Sequence, residues 1–115
     1  MTKLFVIQRR EQQAERELKQ QSRRLLRRLG CLVVPILSGD YCGVGGHRAH
    51  GAAPGTPDDL VLKPPAVVGF LEYKTASGRR SPEQVRWHEW AERHGYQVAT
   101  VRTLEEVAEA VRGWR

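Results

Sequence analysis

The chain has 115 residues and an ordinary apolar content, which suits one domain, residues 1–115, with one modest core. No stretch approaches the ~18 apolar residues a membrane span requires, the Met1–Ile7 run is too short for a signal peptide, and two cysteines do not make a disulfide framework, so a cytoplasmic protein of a bacterial or phage-infected cell is expected. The net charge is +6, and residues 1–30, with nine Lys/Arg against three acids, hold all of it; this pattern favours a polyanion partner, most simply nucleic acid.

In chain order, residues 9–29 read as one long helix. Leu18, Ser22, Leu25 and Leu29 recur at spacings of 4, 3 and 4, with Leu26 widening the stripe. Arg16, Lys19, Arg23 and Arg27 form a second stripe, expected on a different face and turned toward nucleic acid. The plain alternative is a solvated basic face. Fifteen of the nineteen basic residues are Arg, the side chain suited to bidentate phosphate contacts. Gly30 ends the helix. Residues 31–37 read as a strand, and Pro35 assigns it to a sheet edge or a bulge. Cys31 is a small buried residue.

A glycine-rich stretch, 38–56, reads as a mobile loop over a site. Cys42, His47 and His50 lie in it, but their spacing is not a usual zinc pattern and a fourth ligand is missing. Two strands follow, 59–63 and 66–75, joined by a Pro64-Pro65 turn. Ser77–Arg80 leads out, with Arg79 and Arg80 either contacting phosphate or simply solvated. Ser81-Pro82-Glu83-Gln84 predicts a helix start with a capping box, and that helix runs to His94 before Gly95. Trp87 is expected in the core. Trp90 falls off that stripe, either exposed for a dimer contact or half-buried under the last helix. Residues 97–102 read as a strand. Thr103–Glu106 predicts a second capping box opening a helix that ends near Arg112. Trp114 has no assignable place.

The chemistry concentrates at Pro57-Asp58 and Glu72-Tyr73-Lys74. Residues two apart on a strand point the same way, so Glu72 and Lys74 share a face and Tyr73 opposes them. A hairpin would bring Asp58 beside Glu72. Two close acids repel, and one tends to keep its proton. A hard cation such as Mg²⁺ removes that penalty, using one or two carboxylates, with the Tyr73 carbonyl as a further ligand. Such a cation acidifies water, and Lys74 can stabilise charge on a phosphate. Glu15 lies on the inward helix stripe and is a third candidate acid, while Glu17 faces solvent. Gln84 either reaches this site or only completes its capping box.

The stretches Gly55-Thr56-Pro57-Asp58, Gly69-Phe70-Leu71-Glu72-Tyr73-Lys74 and Gly78–Gln84 resemble the VRR-Nuc family of virus-type replication-repair nucleases, within the PD-(D/E)XK superfamily. Ala14-Glu15-Arg16-Glu17-Leu18 resembles the opening helix of archaeal Holliday-junction resolvases. The resemblance covers nearly the whole chain and departs from the family in the long 38–56 loop. It implies an α/β fold with a restriction-endonuclease-like αβββαβ core, a mixed central sheet flanked by helices, and an extra C-terminal helix. It makes Asp58 and Glu72 metal ligands, Glu15 the first-helix acid, Lys74 the catalytic lysine and Gln84 the helix glutamine. It further implies a Mg²⁺-dependent (or Mn²⁺-dependent) endonuclease acting as a homodimer on branched DNA. The alternatives are a DNA-binding module without catalysis, and a nuclease acting on flaps, linear DNA or RNA.

Overall fold

In the computed structural model the backbone is described for residues 3–37, 40–42 and 48–115, and side chains for 6–37 and 51–115. The elements are α1 (Lys3–Arg28), β1 (Leu32–Pro35), β2 (Asp40–Cys42), β3 (Arg48–His50), β4 (Asp59–Lys63), β5 (Val67–Tyr73), α2 (Pro82–Arg93), β6 (Gln97–Val101) and α3 (Leu104–Gly113). The expected αβββαβα order is present, with β2 and β3 added in the long connection between β1 and β4. Within 38–56 the chain forms an antiparallel hairpin, Asp40 opposite His50 and Cys42 opposite Arg48, where a loop was expected. Of the zinc-pattern residues, His47 lies outside the described residues, as do the side chains of Cys42 and His50.

The main sheet has the order β1-β4-β5-β6. β4 runs antiparallel to both β1 and β5, and β5 runs parallel to β6, so the sheet is mixed. β1 is an edge strand, which accommodates the missing amide of Pro35. The β5–α2–β6 unit follows from the need for a crossover between parallel strands.

Alternation along the strands sorts the side chains onto two faces. Val33, Val61, Leu71, Tyr73 and Val101 pack with Leu26 of α1 and Val107 and Val111 of α3 into one core. Trp114 joins it: the indole lies against Gly69, where any β-carbon would collide with its six-membered ring. Lys63 closes the same corner by donating to the carbonyls of Val111 (2.8 Å) and Trp114 (2.9 Å), capping the end of α3. On the other face α2 packs over β5 and β6, with Trp87 edge-on to Phe70 at 5.0 Å. Trp87 is only partly buried, and the deeply buried α2 residues are His88 and Ala91.

The helix boundaries carry their expected punctuation, with two changes. Gly30 and Gly95 take φ of 86° and 82°, the left-handed conformation that ends a helix without a β-carbon clash. α1 begins six residues before the expected start, because nothing between Lys3 and Arg9 breaks a helix. Ser81 and Gln84 form the reciprocal capping box, at 3.2 and 2.9 Å. At α3 the box is only half made. Thr103 accepts from Glu106 N at 3.1 Å, but the Glu106 carboxylate reaches past the cap to the amide of Arg102, at 2.7 Å.

Candidate active site

The β4–β5 register sets Asp59 opposite Leu71 and thereby Asp58 beside Glu72 at the sheet end. The amide of Tyr73 donates to Asp58 Oδ2 at 2.8 Å, fixing that carboxylate against the neighbouring strand. Glu72 is 2% exposed, and its Oε1 has no hydrogen-bond partner. Burial and the adjacent Asp58 carboxyl push the Glu72 pKa up to about 9, and the charges of Lys74 and Lys19 only partly offset them. A buried, unpartnered carboxyl oxygen beside a second acid is costly without a counter-ion.

The first helix reaches the pair through a lysine. Lys19 Nζ lies 3.5 Å from Glu15 and 3.4 Å from Asp58 Oδ1. Glu15 therefore faces inward as expected, with Lys19 between it and Asp58, while Glu17 is exposed. Among the described residues no group of three or more His, Cys, Asp or Glu is close enough to hold a metal ion. The donor set that fits a hard divalent cation is the Asp58–Glu72 pair, whose mutual repulsion and unfilled oxygen such an ion would relieve. Glu15 and Lys74 line an adjoining open cleft of about 360 Å³, together with Glu11, Gln12 and Gly78.

The expected basic stripe is divided. Arg16 and Arg27 are exposed, but Lys19 and Arg23 turn inward. Arg23 forms a two-nitrogen contact with Asp59, Nη2 to Oδ1 at 2.8 Å and Nε to Oδ2 at 3.1 Å. Asp59 is fully buried and also accepts from the Tyr73 hydroxyl at 2.7 Å; that hydroxyl in turn meets Ser22 Oγ at 2.8 Å. The physical reason is geometric. The inward line of α1 runs through Glu11, Glu15, Leu18, Ser22 and Leu26, so positions 19 and 23 border it, and Leu29 is left 58% exposed. Arg23 thus anchors α1 to β4 and is not part of a solvent-facing stripe. The buried Asp59, the residue after Asp58, was missed from the sequence, and an unpaired acid at a strand's inward position was its available signal.

The turn after β5 is held from two sides. Ser77 donates to Glu11 at 2.8 Å, and Arg102 Nη1 donates to the carbonyls of Thr75 and Gly78. This fixes the exposed Arg79 and Arg80 at the cleft rim. Gln84 spends its amide oxygen on the Ser81 cap, so only the amide nitrogen remains for another role. His88, one turn further along α2, is 2% exposed with Nε2 unpartnered, and burial followed by the charges of Arg80 and Lys74 lowers its pKa to about 4.

Over 89% of its length the chain superposes on a solved structure described as a "VRR_NUC domain", covering 98% of that structure with a TM-score of 0.67 and 27% sequence identity. The chain has the fold of the VRR-Nuc family. The mixed four-stranded sheet and three helices are consistent with the PD-(D/E)XK-like fold of that family. No family model matches the sequence, and no curated protein does. The VRR-Nuc likeness therefore rests on three-dimensional form as well as on the motifs around Asp58, Glu72 and Gln84. Among the described residues no helix is long and apolar enough to cross a membrane.

Proposed function

We propose that this VRR-Nuc domain is a divalent-metal-dependent endonuclease that hydrolyses phosphodiester bonds in branched DNA such as four-way junctions. The observation that carries the reading is the buried Glu72 carboxyl, with an unpartnered oxygen, set beside Asp58, with Lys74 two residues on lining an open cleft. Asp58 and Glu72 would hold Mg²⁺ or Mn²⁺, with the Tyr73 carbonyl and, through water, Glu15 as further ligands. When bound, the cation supplies Lewis acidity toward phosphate and makes water more acidic.

The chain's own residues supply the rest. Lys74 places a cation in the cleft where charge grows on the phosphoryl oxygens. Lys19 balances Glu15 and Asp58 and keeps them from repelling one another. Arg79 and Arg80 at the rim, and Arg16 on the exposed face of α1, are placed for backbone phosphates; such contacts orient a duplex without reading its sequence. One chain carries one site, so paired cuts on a four-way junction call for a homodimer. The substrate is tested by a panel of linear, flapped and four-way DNA, with a matched RNA junction, under Mg²⁺ and Mn²⁺. Preferential cutting of the four-way DNA is expected, and equal cutting of linear duplex would remove the structure selectivity.

A further inference from the structure

Among the described residues, three buried side-chain atoms have no hydrogen-bond partner: Glu72 Oε1, His88 Nε2 and Thr100 Oγ1. All three belong to one layer. Leu71, Tyr73 and Val101 face the core shared with α1 and α3, so their chain neighbours Glu72 and Thr100 face the other way, toward α2. Glu72 and Thr100 are also register partners on parallel strands, which sets their side chains side by side. His88 approaches the same place from the helix. It is 2% exposed, so its ring is turned onto the sheet. α2 joins two parallel strands and must run back against them, and helical side chains lean toward the helix N-terminus. His88 therefore leans toward the end of β5 that carries Glu72 and Lys74. Two observations agree. The preceding residue, Trp87, meets Phe70 at 5.0 Å, and Phe70 lies two residues before Glu72 on the same face. The charges of Arg80 and Lys74 also reach His88.

A cation held by Asp58 and Glu72 would fill one lone-pair site of the Glu72 oxygen, but it would leave the threonine hydroxyl and the imidazole nitrogen unserved. One water can serve all three, since a buried water typically makes about three hydrogen bonds to otherwise unsatisfied groups. The hydroxyl and a neutral imidazole can donate or accept, and a carboxylate oxygen keeps a second lone pair beside a metal. We propose that His88 and Thr100 hold an internal water against the Glu72 carboxyl, which makes His88 a positioning residue for the acid that would bind the metal. The proposal rests on the metal-dependent reading above. Its consequence is affinity for the ion, because a metal ligand whose outer hydrogen-bond partner is lost binds less tightly.

The test is Mn²⁺ binding in the absence of DNA, followed by the loss of the free-ion signal in electron paramagnetic resonance. His88→Phe keeps a flat ring and removes the nitrogens, and about tenfold weaker Mn²⁺ binding is expected. His88→Gln keeps a polar end and should recover most of that loss. Thr100→Val removes only the hydroxyl and should also weaken binding; it gives an independent arm should His88→Phe fold poorly. Combining His88→Phe with Thr100→Val should weaken binding less than about twofold beyond His88→Phe alone, since both act through the same water. Unchanged Mn²⁺ binding in both single variants overturns the proposal, and so do losses that multiply in the double variant. An equal loss in His88→Phe and His88→Gln overturns it in favour of packing alone. A wild type that binds no Mn²⁺ sinks the metal reading itself, and the proposal with it.

Discussion

Tyr73 secures Asp58 through its backbone: the amide donates to Oδ2 at 2.8 Å, while the same residue's hydroxyl, on the other side of the sheet, donates to Asp59 at 2.7 Å. Two adjacent acids are thereby held by one residue for different ends, Asp58 toward the cleft and Asp59 toward Arg23. Tyr73→Phe should separate the two. The backbone bond to Asp58 survives, while Asp59 and Ser22 lose a buried partner at a cost of about 1–3 kcal/mol. Chemical denaturation should show that loss, and the rate of DNA cleavage per folded molecule should stay near wild type.

Arg23 and Arg27 look equivalent in sequence and should behave oppositely. Arg23→Ala strands a buried Asp59 and should cost about 3–5 kcal/mol of stability. Arg27→Ala removes an exposed charge and should leave the melting temperature within roughly 3 °C of wild type, given that exposed substitutions rarely exceed half a kcal/mol. Differential scanning calorimetry of the two variants decides this. Equal melting temperatures would contradict the anchoring role given to Arg23.

These outcomes mark where the sequence was readable. Element ends were legible at Gly30, Ser81 and Gly95, because each has a local reason to stop or start a helix. The meeting of Asp58 and Glu72 was legible because a hairpin of alternating strands fixes which side chains adjoin. The inward turn of Lys19 and Arg23 was not, since one residue's shift rotates a helical position by about 100° and the choice depends on what β4 offers as a partner. Asp59 supplied that partner. Trp114 could not be placed because its pocket is made by the absent side chain of Gly69, some forty-five residues away in sequence.

Without a metal, Glu72 should make the protein less stable as pH rises. Its folded pKa of about 9 stands above the ordinary 4.5, so its contribution is complete below pH 4.5 and is lost as pH climbs toward 9. Glu72→Gln should remove that slope and raise the melting temperature in EDTA at pH 8. In Mg²⁺ or Mn²⁺ the ordering should narrow or reverse, since only the wild type gains from the ion. Thermal melts of both proteins across pH, with and without metal, provide the check.

His88 imposes the opposite slope at lower pH. Its pKa falls from 6.5 in the open chain to about 4 when buried, so the folded state holds it neutral. The stability it contributes is present above pH 6.5 and is lost as pH falls toward 4, on the order of 3 kcal/mol in total. Because Glu72 slopes the other way above pH 4.5, the test is made in the Glu72→Gln background, where adding His88→Gln should flatten the stability profile in that window. A Glu72→Gln profile that is already flat or rising toward pH 4 would show that His88 charges freely.

The most direct measurement is cleavage of a four-way DNA junction in Mg²⁺ by the wild type and by Asp58→Ala, Glu72→Ala and Lys74→Ala, each shown to be folded and to bind the junction. The predicted result is cutting by the wild type and at least about a hundredfold slower cutting by each variant, the scale expected when a group stabilising the transition state is removed. A wild type that binds the junction but cuts it in neither Mg²⁺ nor Mn²⁺, or an Asp58→Ala protein that cuts at the wild-type rate, would contradict the account.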